Sequence, residues 1–168
     1  MATCSDVMTR NPVCTVPGDT VVNVAQLMKE RDIGPIPIVA DKASRKVVGI
    51  VTDRDLAMKV VAAGSDPNTT LVRDVMTMDV VTCRADDEIN QTLDAMSRHQ
   101  LRRIPVLDAK DRLAGIIAQA DVATRMDEPE KTGEDVKEIS RYGLEKSFGM
   151  THIPPIGGMV DFHCRTLL

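Results

Sequence analysis

The sequence predicts an α/β (α+β) chain made of two βαββα units packed about a pseudo-twofold axis, followed by a C-terminal tail. Three observations carry that expectation. A four-residue motif recurs at a fixed spacing, each copy switches between helical and strand periodicity in the same order, and the composition changes beyond Met126.

The repeat is the strongest of the three. Asp6-Val7-Met8-Thr9 returns letter for letter as Asp74-Val75-Met76-Thr77, and the same offset of 68 carries Val13 onto Val81, Asp19 onto Asp87, Met28 onto Met96 and Ile36-Pro37 onto Ile104-Pro105. After a two-residue deletion in the second copy, an offset of 66 carries Gly49-Ile50 onto Gly115-Ile116, Asp55 onto Asp121 and Ala57 onto Ala123. These matches place one unit over residues 3–63, a second over 70–126, and a linker and tail over 127–168.

Each copy opens with a strand after the repeated motif. Val21, Val22, Ala25 and Met28 then form the apolar stripe of an amphipathic helix, entered through Pro17-Gly18-Asp19. Ile89, Thr92, Leu93 and Met96 repeat the stripe behind Asp86-Asp87-Glu88, acids that suit a helix N-terminus. The β-branched runs Ile36 to Val39 and Val47 to Val51, parted by the polar turn Asp41-Lys42-Ala43-Ser44, read as a hairpin. Ile104 to Leu107 and Leu113 to Ile117 repeat it around Asp108 to Asp111, and a helix near Asp53 closes the first copy. A unit of about 55 residues has a small core, so two copies should share one by packing face to face, with clefts between them for a ligand. Met8 and Met28 match Met76 and Met96, and together with Met58 they are expected to fill the interior of a region that holds no aromatic residue.

The tail differs. Asp127 to Asp135 is charged and contains Pro129 and Gly133, and Tyr142, Phe148 and Phe162 are all the aromatics of the chain. Glu134 to Arg141 could form a short helix, whereas Ile153-Pro154-Pro155-Ile156-Gly157-Gly158 is not regular structure.

Composition narrows the functions. A net charge of −4 over 168 residues and a pI near 5.4 argue against a surface built for a nucleic acid polymer. No stretch approaches the roughly 20 apolar residues of a membrane span, and no signal peptide is written, so the expectation is a cytoplasmic protein with no membrane partner. Cys4, Cys14, Cys83 and Cys164 contain no CxxC pair and read as ordinary thiols of a reducing compartment. His152, His163 and Cys164 are too sparse a set to assign a metal.

The segment richest in chemistry is Gly49-Ile50-Val51-Thr52-Asp53-Arg54-Asp55. Here polar groups sit where an apolar strand meets a helix N-terminus, a place that attracts anions. Thr52 offers a hydroxyl, Arg54 a forked cation suited to phosphate, and Asp55 two acceptor oxygens able to take a ribose diol. Read without the repeat, the same residues are an N-cap and a first-turn acid.

The paired units, the DVMT openings, the strands with a central proline and the GIVTDRD segment together resemble a tandem CBS domain, or Bateman module, over about residues 3–126. The resemblance implies a disc-like pair, frequently dimerised again as a homodimer, whose clefts take AMP, ADP, ATP or another adenosyl ligand such as NAD or S-adenosylmethionine as a regulatory ligand. It implies that Thr52 holds phosphate, that Asp55 holds ribose, and that the adenine lies among Val13, Thr15, Val16, Ile36 and Pro37. The second copy reads Gly115-Ile116-Ile117-Ala118-Gln119-Ala120-Asp121, which keeps the ribose anchor as Asp121 but has Ala118 in place of the hydroxyl, so unequal sites are expected. Arg102 and Arg103 could bring positive charge to phosphates in a cleft or simply be solvated on a strand edge. His99 could reach a phosphate or end a helix.

The function expected is a sensor that reports an adenine nucleotide to a protein target that the sequence does not identify. An adaptor with vestigial sites is the alternative. The chain shows no catalytic triad, metal-ligand set or Walker-type loop, so it is not read as an enzyme and no catalytic cofactor is expected.

Overall fold

A computed structural model describes residues 2–119 and Val122. In chain order the elements are α1 (Cys4–Val7), β1 (Thr9–Arg10), α2 (Val21–Arg31), β2 (Pro35–Val39), β3 (Val47–Thr52), α3 (Asp53–Leu56), α4 (Val72–Val75), β4 (Cys83–Arg84), α5 (Ile89–Arg98), β5 (Arg103–Leu107) and β6 (Leu113–Ala118). A π-helical segment, Ala57–Val61, continues α3. The expectations about Asp121 and residues 127–168 lie outside the described residues.

Both hairpins and the α5 stripe lie where periodicity puts them, but α2 turns Val21, Val24 and Met28 inward while Ala25 is exposed and Val22 half-buried, because the i, i+3, i+7 face through Val24 carries the larger apolar side chains. β2 pairs antiparallel with β3, and β5 with β6, each with a register shift one residue before the turn. The paired strands alternate inward and outward along β6, as a half-buried sheet requires. Left-handed residues Asp32 and Gln100 end α2 and α5 at equivalent places.

The repeated motif is not the lead-in to a strand alone. Residues 4–7 and 72–75 are single helical turns, because the motif aspartate accepts from the backbone N–H that would otherwise be orphaned: Asp6 from Thr3 at 2.8 Å and Asp74 from Leu71 at 3.2 Å. The motif valines Val7 and Val75 are buried. The motif methionines cross to the other copy. A methyl placed on Gly49 would meet Met76 Sδ at 2.7 Å, and one on Gly115 would run into Met8, so each glycine is the floor on which the opposite copy's methionine lies. The motif threonines pair across as well, Thr9 with Ile116 and Thr77 with Ile50.

The two copies are therefore knitted together by exchange. One core gathers α1 residues Cys4, Val7 and Met8 with Cys83, Ile89, Leu93, Met96, Ile104, Val106, Ile117 and Val122. The other gathers α4 residues Val72 and Val75 with Val21, Val24, Met28, Ile36, Ile38, Val51, Leu56 and Val60. β1 of the first copy joins β6, β5 and β4 of the second in one four-stranded sheet. Met8, Met28 and Met96 are buried and Met76 packs against its core, but Met58 is 58% exposed and fills nothing. The π-helical segment that carries Met58 buries only Val60, which leaves Met58 on its outer face.

The cores differ chemically. Where the first places Val72, Val24 and Thr15, the second places Cys4, Thr92 and Cys83. Cys4 Sγ lies 3.0 Å from Thr92 Oγ1. The hydrogen bond from Cys83 draws the Cys4 thiol down to about 7 against the opposing effect of burial, while the same contact and burial push Cys83 upward.

Candidate functional site

β3 delivers Thr52 to the first turn of α3, and the extended backbone of Thr52 makes it the N-cap. Its hydroxyl oxygen accepts from Asp55 N–H at 3.2 Å, and the Asp55 carboxylate accepts from Thr52 N–H at 2.9 Å. This is a capping box, with the acid in the position where glutamate more often stands. The Thr52 hydroxyl also donates to Asp55 Oδ2 at 2.7 Å. Thr52 and Asp55 are thus one rigid unit at the end of the central hairpin.

Asp55 Oδ1 is held by Lys59 Nζ at 2.9 Å, and the same ammonium donates to Val75 O at 2.6 Å. Partial burial pushes the Asp55 carboxyl up, but the hydrogen bonds from Lys59 and Thr52 outweigh it and hold the group below the ordinary carboxylate range. It is an anion at neutral pH. A carboxylate has about four acceptor positions, and Thr52 and Lys59 engage three, so a ribose diol needs Lys59 or the Thr52 hydroxyl to yield one.

The second copy contributes Arg103. A methyl on Gly34 would sit 3.4 Å from the Asp53 carboxylate and 3.5 Å from the Arg103 guanidinium, which places all three at the mouth of the same corner. The backbone there is tied by Asp53 N–H to Gly34 O at 3.1 Å, mirrored in the second copy by Gln119 N–H to Arg102 O at 3.0 Å. Arg102 and Arg54 are exposed. His99 is exposed and ends α5 as its C-cap. Asp53, which carries no signal in the sequence beyond its place at a helix N-terminus, shares the surroundings of Gly34 with Arg103.

The segment expected to line a base does run beside β2. Thr15 N–H donates to Pro37 O at 3.2 Å and Thr15 O accepts from Val39 N–H at 2.9 Å, so residues 13–16 add a strand-like edge to the hairpin. Ile36 and Pro37 are buried, and Val13 and Val16 are half-buried. The Thr15 side chain is buried and its hydroxyl donates to Asp19. Its backbone is therefore the part that reaches the edge.

At the second copy's equivalent corner Ala118 supplies no capping hydroxyl, and Asp121 lies outside the described residues. Among the described residues no group of three His, Cys, Asp or Glu side chains could hold a metal ion, and no helix is long and apolar enough to cross a membrane.

Residues 4–62 and 72–128 each match the CBS domain family. The chain is 37% identical over 128 residues to hypoxic response protein 1 of Mycobacterium tuberculosis, covering 76% of this chain and 87% of that one. A crystal structure of Hypoxic Response Protein I with two coordinated zinc ions superposes with a TM-score of 0.68 at 36% identity, over 74% of this chain and 99% of that chain. The CBS domain pair of protein MJ0100, in complex with 5′-methylthioadenosine and S-adenosyl-L-methionine, superposes with a TM-score of 0.64 at 26% identity, over 73% of this chain and 98% of that one. Similarity to inosine-5′-monophosphate dehydrogenase of Methanocaldococcus jannaschii, 33% over 125 residues, covers 74% of this chain but 24% of the enzyme.

Proposed function

This chain belongs to the CBS domain family, and from that premise we propose that it is a regulatory sensor which binds an adenosyl ligand at the Thr52–Asp55 corner and reports it to a protein target. The observation that carries the proposal is the capping unit of Thr52 and Asp55 with Arg103 of the other copy beside it. An anionic carboxylate fixed in one rotamer suits a ribose diol, and a guanidinium across the cleft suits a phosphate or carboxylate on the same ligand. The half-buried Val13 and Val16, on the segment beside β2, offer an apolar edge for the base, while Ile36 and Pro37 are buried. The MJ0100 pair takes adenosyl ligands without a phosphate, which supports the nucleoside as the shared feature.

Binding bridges the two copies, because Asp55 and Arg103 come from different repeats. Ligand can bias the module only by its difference in affinity between two arrangements. Lys59 is the link available for that purpose: it joins Asp55 to Val75 of the exchanged turn, so a ribose that displaces it loosens α4. We read the module as cytoplasmic and non-enzymatic.

The test is a thermal-shift panel with AMP, ADP, ATP, NAD, S-adenosylmethionine and GTP against wild type, Asp55→Ala and Asp121→Ala. A ligand at a hundred times its Kd adds about 2.7 kcal/mol. The proposal expects an adenosyl ligand to raise Tm, GTP to do nothing, and Asp55→Ala to erase the response more fully than Asp121→Ala. A panel with no shift sinks it.

One observation favours an adaptor instead. Val61 is 78% exposed, Met78 71% and Met58 58%, apolar side chains with no cover among the described residues. A homodimer would hide them. Sedimentation of wild type and Val61→Asp decides: a dimer that becomes a monomer, with no ligand response in either, favours the adaptor.

A further inference from the structure

We infer that the far end of the hairpins, away from the Thr52 corner, is a second binding site, one for a small oligophosphate. β2 and β3 run through five paired residues between the Pro35–Thr52 end and the turn, so the two ends are separated by ~15 Å. The turns of both copies meet there: Lys46 and Arg112 form an antiparallel bridge, and Leu113 N–H donates to Arg45 O at 2.9 Å.

The charges at this junction are unbalanced in a chain that is acidic overall. Two adjoining depressions, about 360 and 320 Å³, share Arg112. Lys46 and Lys110 line the first; Arg10 and Arg45 line the second. Each acid there already has a partner, Asp108 the shared Arg112 and Asp111 the outlying Arg84, which leaves Lys46, Lys110, Arg10 and Arg45 without a carboxylate partner among the described residues. Asp108 accepts from Lys110 and Arg112 N–H at 2.8 and 2.9 Å and holds the Arg112 side chain at 2.7 Å, and Asp111 is paired with Arg84 at 2.7 Å.

Two features call for an anion. Lys46 and Arg112 stand directly opposite on paired backbone, an arrangement that repels. The Arg45 guanidinium is fixed by Nε–H to Leu113 O at 3.1 Å, yet its Nη2 is buried with no acceptor. A buried donor without a partner is costly, and a multiply charged oxyanion in the adjoining depression relieves both the repulsion and the orphaned donor. A single phosphate satisfies one depression; a chain of two or three phosphates spans both past Arg112. This inference does not rest on the adenosyl reading, since no residue is shared.

The probe is inorganic tripolyphosphate, titrated calorimetrically at fixed ionic strength into wild type, Lys46→Glu/Lys110→Glu, Arg103→Ala and Asp55→Ala. Lys46 and Lys110 are exposed, so the double variant should fold, and circular dichroism checks this. Saturable binding is expected in wild type, unchanged in Arg103→Ala and Asp55→Ala, and weakened about tenfold or more in the double variant. Arg45→Met should weaken it too without altering any response to an adenosyl ligand. No saturable binding overturns the inference, and so does binding that survives the double variant but is lost in Arg103→Ala.

Discussion

The two copies share a fold and differ at the groups their equivalent positions carry. In the first, Thr52 caps α3 and fixes Asp55, and the core cluster holds no thiol or hydroxyl, the buried Thr15 hydroxyl turning to Asp19. In the second, Ala118 leaves the corner without a capping hydroxyl, and the core admits two thiols and the Thr92 hydroxyl. The hydrocarbon scaffold is held nearly constant while the polar groups diverge. The repeat thus keeps its packing in both copies, while of the two corners the first has a capping hydroxyl and the second has Ala118 there. Exchange of α1 and α4 makes the two halves interdependent: neither core is complete without the other copy's opening turn.

The largest break in that symmetry should come from deleting residues 2–8. The second core loses Cys4, Val7 and Met8, and at about 1.5–3 kcal/mol for a buried apolar side chain this removes several kcal/mol. Hydrogen exchange should accelerate across residues 89–118 far more than across 21–56; equal acceleration would show that the cores do not behave as separate units. Next in size is the pair Gly115→Ala and Gly49→Ala. Both add a methyl under a methionine, a change that costs about 1–3 kcal/mol when the neighbours cannot yield. Gly115→Ala should lie at the upper end, because its methyl would come within 2.8 Å of Met8 Cγ and 3.0 Å of Met8 Cβ as well as the flexible Sδ, whereas on Gly49 the contacts beyond Met76 Sδ, with Met76 Cγ and Thr77 O, are both 3.2 Å. Chemical denaturation of the two variants measures the difference.

Thr52→Ala should cost about 1 kcal/mol as a lost N-cap, with Thr52→Ser recovering most of it, again by chemical denaturation. The smallest effect separates the hairpin turns by pH. Backbone and side-chain bonds from Arg112 hold Asp108 at about 2, and bonds from Ser44 hold Asp41 below the ordinary 3.8. A carboxyl depressed on folding stabilises above its unfolded pKa, and that contribution is lost as pH falls through the folded value. Tm should therefore drop between pH 4 and 2, and Asp108→Asn should flatten that drop more than Asp41→Asn does.

Much of this architecture was legible beforehand. The α5 stripe Ile89 to Met96 and the Pro-centred hairpins are periodic signals that tertiary contacts reinforce, whereas α2 was legible as a helix but its inward face, through Val24 and not Ala25, was not. The opening turns were not: four residues are too short for a helical period, and only the Asp-to-backbone bond three residues back distinguishes them from the start of a strand. Exchange was hidden for a related reason, since a sequence repeat shows that two segments are alike and not which of them pack together. At the site, Thr52 and Asp55 were legible as a pair because an N-cap and its third residue have fixed spacing. The Lys59 ion pair follows from i,i+4 geometry and could have been read from Asp55. The approach of Arg103 to Gly34 depends on how the copies face each other, which no local pattern encodes.

We propose that one corner of this pair, built on Asp55, is the competent adenosyl site. Isothermal titration of AMP, ATP and S-adenosylmethionine into wild type, Asp55→Ala and Ala118→Thr tests it most directly. The account predicts one dominant site per chain for the ligand that binds, loss of that site in Asp55→Ala, and a strengthened second site in Ala118→Thr. Two equal sites in the wild type, or binding that Asp55→Ala leaves untouched, would contradict it.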